Sequence, residues 1–325
     1  MTNLVKVDPQ SPQRDAIEKA AAILRAGGLA AFPTETVYGL GAHALDGAAV
    51  RRIFAAKERP DWDPLIVHVR DVDMARSLAR SVPSAFDALT KRFWPGPLTL
   101  VVEKAARVPD EVTARRPTVA LRMPRHPVAA ALLAAARLPI AAPSANRFGR
   151  PSPTRAEHVV EDLGGRVDLI LDAGPTPMGV ESTVLDLTQS PPAILRPGGI
   201  TREELESVLG KVSLAAGVSD ELATKGLAGP GMTTKHYAPR AQVELFESGA
   251  ALHTRADELR RQNKRIGIVE GADDAQRLAR TIFAQMRTLD AQSVDVILCV
   301  LPRAEGIGLA VRDRLLRAAG VAKKP

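Results

Sequence analysis

The chain reads as an α/β protein in two parts, and three observations carry that reading. Short apolar strands alternate with amphipathic helices from residue 14 to residue 210, the pattern of a mixed, twisted sheet covered by helices. Residues 213–240 then lose any sustained period and are punctuated by Ala228-Gly229-Pro230-Gly231 and Ala238-Pro239, as a linker is. Beyond them a strand–helix order recurs three times, a compact βαβαβα unit. The expected boundaries are 1–212 for a first domain, 213–240 for the linker and 241–325 for a smaller α/β domain. A length of 325 residues itself favours two cores over one.

The elements follow in order. Ile17, Ala20, Ala21 and Leu24 fall at helical spacing, so residues 14–26 form an amphipathic helix that Gly27-Gly28 ends. Residues 29–32 are an apolar strand that stops at Pro33. Asp46 is placed to cap a helix over 47–58. Strands follow at 65–69, 98–102 and 119–122, a helix at 127–137, and strands at 140–142, 168–171, 183–187 and 193–195. Thr201-Arg202-Glu203-Glu204 is a capping box that opens a helix ending near Gly210. In the second domain, strands at 242–246, 265–269 and 294–301 alternate with helices near 255–262, 274–289 and 310–319. Glu305-Gly306-Ile307-Gly308-Leu309 is a turn into the last of these helices.

Composition bounds the function. With 45% apolar and 25% charged residues the chain is globular rather than disordered. Its longest uncharged apolar run, 127–136, is too short to span a bilayer, and residues 1–14 carry no secretory signal. A cytoplasmic location is the default expectation. The single cysteine, Cys299, lies in an apolar run and reads as a buried strand residue. The six histidines show no metal-ligand spacing. A net charge of +7 points to an anionic partner, and a nucleoside triphosphate, a tRNA or a merely basic surface would each fit. Aromatics make up only 3% of residues, few for stacking single-stranded RNA.

The chemically dense segments sit at strand ends of the first domain. Phe32-Pro33-Thr34-Glu35-Thr36-Val37-Tyr38-Gly39-Leu40-Gly41 packs threonines, a carboxylate and glycines behind a buried strand. Lys57 and Arg59 leave a helix end together before Pro60, where both can reach phosphate oxygens or simply complement the helix dipole. Pro64-Leu65-Ile66-Val67-His68 brings a histidine. Pro143-Ser144-Ala145-Asn146 follows a strand with small polar groups suited to anion binding. Ser182-Thr183-Val184 and Leu195-Arg196-Pro197-Gly198 complete the set. Neither a phosphate-binding loop of the Walker type nor a dinucleotide fingerprint is present.

With Trp94-Pro95-Gly96-Pro97-Leu98-Thr99, Val119-Ala120-Leu121-Arg122-Met123-Pro124 and the linker run ending His236-Tyr237-Ala238-Pro239, these ordered motifs resemble the YrdC-like family of threonylcarbamoyl-AMP synthases, in its long, two-domain form. The resemblance implies an open twisted mixed sheet around a basic cavity, followed by a smaller Rossmann-like domain. It implies a nucleotidyltransferase that joins L-threonine, bicarbonate and ATP into threonylcarbamoyl-AMP and pyrophosphate, for threonylcarbamoyladenosine in tRNA. Carried over position by position, Lys57 and Arg59 would be catalytic. ATP would be held by Lys57, Arg59, Thr118, Ser144, Asn146, Ser152, Arg196 and Tyr237. Threonine would sit among Thr34, His68, Arg122, Ala142 and Ser182. Mg²⁺ would ride mainly on the phosphates, with no protein metal site. Partners would include a downstream tRNA threonylcarbamoyl transferase and, as an open question, tRNA itself. A double-stranded RNA or tRNA-binding module and a nucleotide sensor remain alternative readings of the same fold.

Overall fold

The computed structural model of the chain describes residues 1–215 and 237–321. The first domain runs β1 (Asn3–Lys6), α1 (Arg14–Arg25), β2 (Ala30–Pro33), β3 (Tyr38–His43), α2 (Gly47–Lys57), β4 (Ile66–His68), α3 (Val72–Leu78), α4 (Ala85–Phe93) and β5 (Leu98–Glu103). It continues with α5 (Asp110–Thr113), β6 (Thr118–Arg122), α6 (Pro127–Ala136), β7 (Ile140–Ala141), α7 (Ala156–Leu163), β8 (Leu169–Asp172), β9 (Thr183–Asp186), β10 (Ala193–Arg196), α8 (Arg202–Leu209) and β11 (Ser213–Leu214). Its strands form one mixed sheet in the order β1-β8-β2-β3-β7-β4-β6-β5-β9-β10-β11. The second domain is β12 (Gln242–Phe246), α9 (Gly249–Arg261), β13 (Ile266–Val269), α10 (Ala275–Ala291), β14 (Val296–Val300) and α11 (Ile307–Ala318), with a parallel sheet ordered β12-β14-β13.

Period-two alternation decides where the cavity lies. Val67, Leu100, Leu121, Leu185 and Ile194 all point to one face, where they join the main core beneath the helices. Their neighbours Ile66, Val101, Ala120, Val184 and Leu195 point the other way and form a small separate cluster. That second face, over β4, β6, β5, β9 and β10, therefore has an apolar floor. The β1–β8–β2 end of the sheet is instead backed by α1 and α6, which bury Ile17, Leu24, Leu132 and Leu133 against Ala30, Phe32 and Leu169.

Local signals behave as their chemistry requires. Asp46 accepts from the amides of Ala48 and Ala49 at 2.9 and 3.2 Å, and Thr201 with Glu204 completes both halves of a capping box. Elements of the first domain that were not foreseen include β1, β3, α3, α4 and the short α5. In addition β11 pairs with β10, so the first sheet extends two residues into the segment expected to be linker. The helix α9 begins at Gly249 rather than near residue 255, and α11 at Ile307 rather than near residue 310. Cys299 is buried in β14, and burial pushes its thiol up.

Two of the features that fix the second domain against the first involve α10. Gly179 has φ +80°, and a Cβ there would lie 2.4 Å from the carbonyl oxygen of Ala279 in α10. Arg287, also on α10 and buried, donates from Nη2 to Asp162 Oδ2 and to the Pro151 carbonyl, both at 2.6 Å. Asp162 takes a second bond from Arg150 Nη1 at 2.6 Å. Losing one partner of a buried pair strands the other charge. Arg287→Ala is therefore expected to cost about 3 kcal/mol, the low end for such pairs because Asp162 keeps Arg150, read from urea unfolding.

Candidate functional site

One cavity opens at the carboxyl ends of β2 and β4, beside the β2–β3 turn. Its wall is formed by Thr34, Arg59, His68, Arg122, Ala142, Ser144, Ser182, Arg196 and Tyr237, together with Thr36, Val37, Gly39, Ile66, Pro143 and Glu181. The β4–β6 register pairs His68 with Arg122 and Ile66 with Ala120, which sets these side chains in a stripe on the open face. Thr118 lies on the same face two alternations back. It lines a shallow depression with Arg116 and Pro64 rather than the cavity itself.

Arg196 reaches the cavity through an irregularity. Ile194 pairs with Leu185 and Arg196 with Val184, so two residues of β10 oppose one step of β9. Strict alternation would aim Arg196 into the helix-covered core with Ile194. The bulge turns it to the open face instead. There its Nε and Nη2 donate to the Ser182 carbonyl at 3.2 and 3.0 Å, and Nη2 to Ser182 Oγ at 3.1 Å. Ser182 Oγ is also 2.8 Å from Thr99 Oγ1. Gly198 permits this closeness, since a Cβ there would meet the Ser182 and Thr183 backbone at 2.3 Å.

The other two arginines are held by carboxylates behind the wall. Arg122 Nη2 lies 2.8 Å from Glu35 Oε1, and its Nε donates to Gly96 O at 3.3 Å. Arg59 pairs with Asp63 at 2.9 Å, donates to the Pro64 carbonyl at 2.9 Å and stacks over Phe148. Among the described residues Arg196 makes no ion pair, which leaves its charge the least compensated of the three. His68 is buried against Phe32, and its Nδ1 has no hydrogen-bond partner. Burial, then the Arg122 charge, push its pKa down to about 3, so the ring is neutral. A cavity with guanidinium groups and hydroxyls around a neutral imidazole suits an anion lying beside a small polar molecule.

A family profile described as "Telomere recombination", covering Sua5, YciO and YrdC proteins, matches residues 22–198, and one described as "Threonylcarbamoyl-AMP synthase, C-terminal domain" matches residues 200–320. The threonylcarbamoyl-AMP synthase of Pyrococcus abyssi is 45% identical over 94% of both chains. That of Bacillus subtilis is 42% identical over 96% of this chain and 94% of its own. The chain belongs to the threonylcarbamoyl-AMP synthase family. The solved structure of P. abyssi Sua5 complexed with L-threonine superposes with a TM-score of 0.93 at 43% identity, covering 98% of each chain. HypF of the phosphate- and nucleotide-bound form, 20% identical, shares the fold over 56% of this chain.

Against that family pattern, the cavity gathers Thr34, His68, Arg122, Ala142, Ser182, Arg59, Ser144, Arg196 and Tyr237. Four expected nucleotide residues stand apart from its wall. Lys57 is buried behind it, donating from Nζ to the carbonyls of Ser144 and Asn146. Glu58 in the left-handed region, φ 54°, ends α2 directly after Lys57. Burial, then the neighbouring Arg59 charge, lower the Lys57 pKa well below its usual range. The position of Lys57 makes it the post on which the Ser144 loop hangs. Asn146 faces away as well, its Nδ2 bonded to Arg147 and Arg150 carbonyls at 2.7 and 2.9 Å. Ser152 gives its hydroxyl to Glu181, and Thr118 lies in the neighbouring depression. Sequence reasoning passed over Glu181, Glu35 and Asp63 as partners of the arginines. The signal available for Asp63 was its i,i+4 spacing from Arg59. The linker motif from Pro230 to His236 lies outside the described residues.

Two outcomes follow for this site. Lys57→Met should lower the unfolding midpoint as well as activity, because it removes loop anchorage; activity lost at unchanged stability would instead mark a direct phosphate contact. By NMR, the His68 ring should show no titration between about pH 5 and pH 8, where an ordinary histidine changes charge. Because its folded pKa is depressed, His68 stabilises the fold above its unfolded pKa, and that contribution is lost as pH falls toward 3.

Proposed function

We propose that this chain is a threonylcarbamoyl-AMP synthase that condenses L-threonine, bicarbonate and ATP. The observation that carries the reading is the convergence of Arg59, Arg122 and Arg196 with Thr34, His68 and Ser182 on one cavity. In the reaction, the threonine amine adds to bicarbonate-derived CO₂, forming the N–C bond of a carbamate. A carbamate oxygen then bonds to the α-phosphorus as the α–β oxygen–phosphorus bond breaks, and pyrophosphate leaves. No enzyme nucleophile is needed, so positioning and charge carry the catalysis.

The roles follow from placement. Arg122, tied to Glu35, is positioned to receive the threonine carboxylate, as a guanidinium beside a hydroxyl-rich turn would. Neutral His68 serves as a hydrogen-bond acceptor without adding a second cation beside the amine. Thr34 and Ser182 offer hydroxyls to the substrate's own hydroxyl. Arg196 and Arg59 face the phosphates, with Ser144 at the loop edge and Tyr237 closing the far side. The cavity's carboxylate, Glu181, has both oxygens engaged by Ser152 and Arg314. Mg²⁺ would therefore enter on the phosphates of ATP. The product would pass to a tRNA threonylcarbamoyl transferase.

The test is pyrophosphate release that requires threonine and bicarbonate together; release indifferent to either would refute the reading. Arg196→Met should cut turnover by about 10²–10³, the usual loss for one charge-stabilising donor. Serine in place of threonine should lose about 10–200-fold, because only a methyl contact is missing, and valine should lose more, because it strands the hydroxyl partners.

A further inference from the structure

Arg314 lies on α11, in the second domain, yet it is fully buried and reaches the wall of the cavity. Its Nε donates to Glu181 Oε2 at 2.7 Å and its Nη2 to the Pro197 carbonyl at 3.0 Å. Its guanidinium lies 5.2 Å from the centre of the Tyr237 ring, and Nη1 bonds Asp313 Oδ2 at 2.7 Å. The other oxygen of Glu181 accepts the Ser152 hydroxyl. One side chain of the second domain thus touches the segment before β9, the segment after β10 and the end of the linker.

Glu181 is a carboxylate in a cavity that must take a polyanion. Burial alone would push its pKa up, and Arg314, followed by Arg196, outweighs that and lowers it, so Glu181 is ionised. An uncompensated anion there would repel triphosphate and would draw on Arg196, the charge least committed elsewhere. Arg314 removes that demand from behind.

Resting on the synthase reading above, we propose that Arg314 is a positioning residue: it neutralises Glu181 from the second domain and thereby leaves Arg196 for the nucleotide. The second domain then completes the charge balance of the site without supplying a substrate contact. In the full chain, Arg314→Met should raise KM for ATP at least about tenfold, since truncating one partner of a buried charge pair leaves the other exposed to the ligand. The KM for threonine should change much less, and so should kcat. Adding Glu181→Gln to Arg314→Met should bring KM for ATP back close to wild type, because no stranded charge remains. Glu181→Gln alone should lower KM for ATP. If Arg314→Met fails to fold, the double variant and Glu181→Gln still decide the matter: a raised KM for ATP in either overturns the proposal. A double variant as impaired as the single would mean that Arg314 acts through packing on Pro197 and Tyr237. Wild-type enzyme without threonine-dependent pyrophosphate release would sink the synthase reading, and this proposal with it.

Discussion

The constraint that governs this molecule is that three arginines must stay buried and charged around one cavity. Taking such groups from water costs several kcal/mol each unless partners meet them. The fold answers with a carboxylate behind each of two, Glu35 for Arg122 and Asp63 for Arg59, and with the Ser182 backbone and hydroxyl for Arg196. Glu181, which would otherwise compete for Arg196, is taken up by Arg314. Where the arginines stand is thus decided by what stands behind them, and the groups behind come from distant parts of the chain.

The sheet supplies the geometry for this arrangement. One face carries the large apolar residues of the main core, and the alternate residues leave a shallow apolar floor on the other. Polar side chains at the strand ends, His68, Arg122 and Ser182, fall on that open face by alternation alone. Arg196 does so only because a bulge adds one residue to β10. Lys57 works one step further away. It holds the Ser144–Asn146 loop by its carbonyls, so the loop's outward atoms are fixed while its own Nζ is spent inside the protein.

Much of this was legible in the sequence. Strands and helices with clean periods, such as α1, α6, α10 and β14, stand where their patterns put them, and the caps at Asp46 and Thr201 are realised. The strand β3 escaped because Gly39 and Gly41 make Tyr38-Gly-Leu-Gly read as loop, whereas at Gly41 the close approach of Phe32 and Ile140 leaves no room for a Cβ. The short helices α3 and α4 were missed although Asp71 caps the first and Phe86, Leu89 and Phe93 fall at helical spacing in the second. The motifs pointed to residues that line the cavity, but spacing could not say which way each side chain faces. Lys57 and Arg59 leave the same helix end, and only the left-handed turn at Glu58 sends one behind the wall and the other into it. Arg314 had no local signal at all: its partner Glu181 is 133 residues away in the other domain.

All of this requires that the cavity seat an amino acid and a nucleoside triphosphate together, with the bicarbonate carbon joining them. Mass spectrometry of a mixture of the protein, ATP, threonine and isotopically labelled bicarbonate addresses that most directly. The account predicts an adenylate that carries both threonine and the labelled carbon, formed only when all three substrates are present. Conversion of ATP to ADP without any labelled adenylate would contradict it.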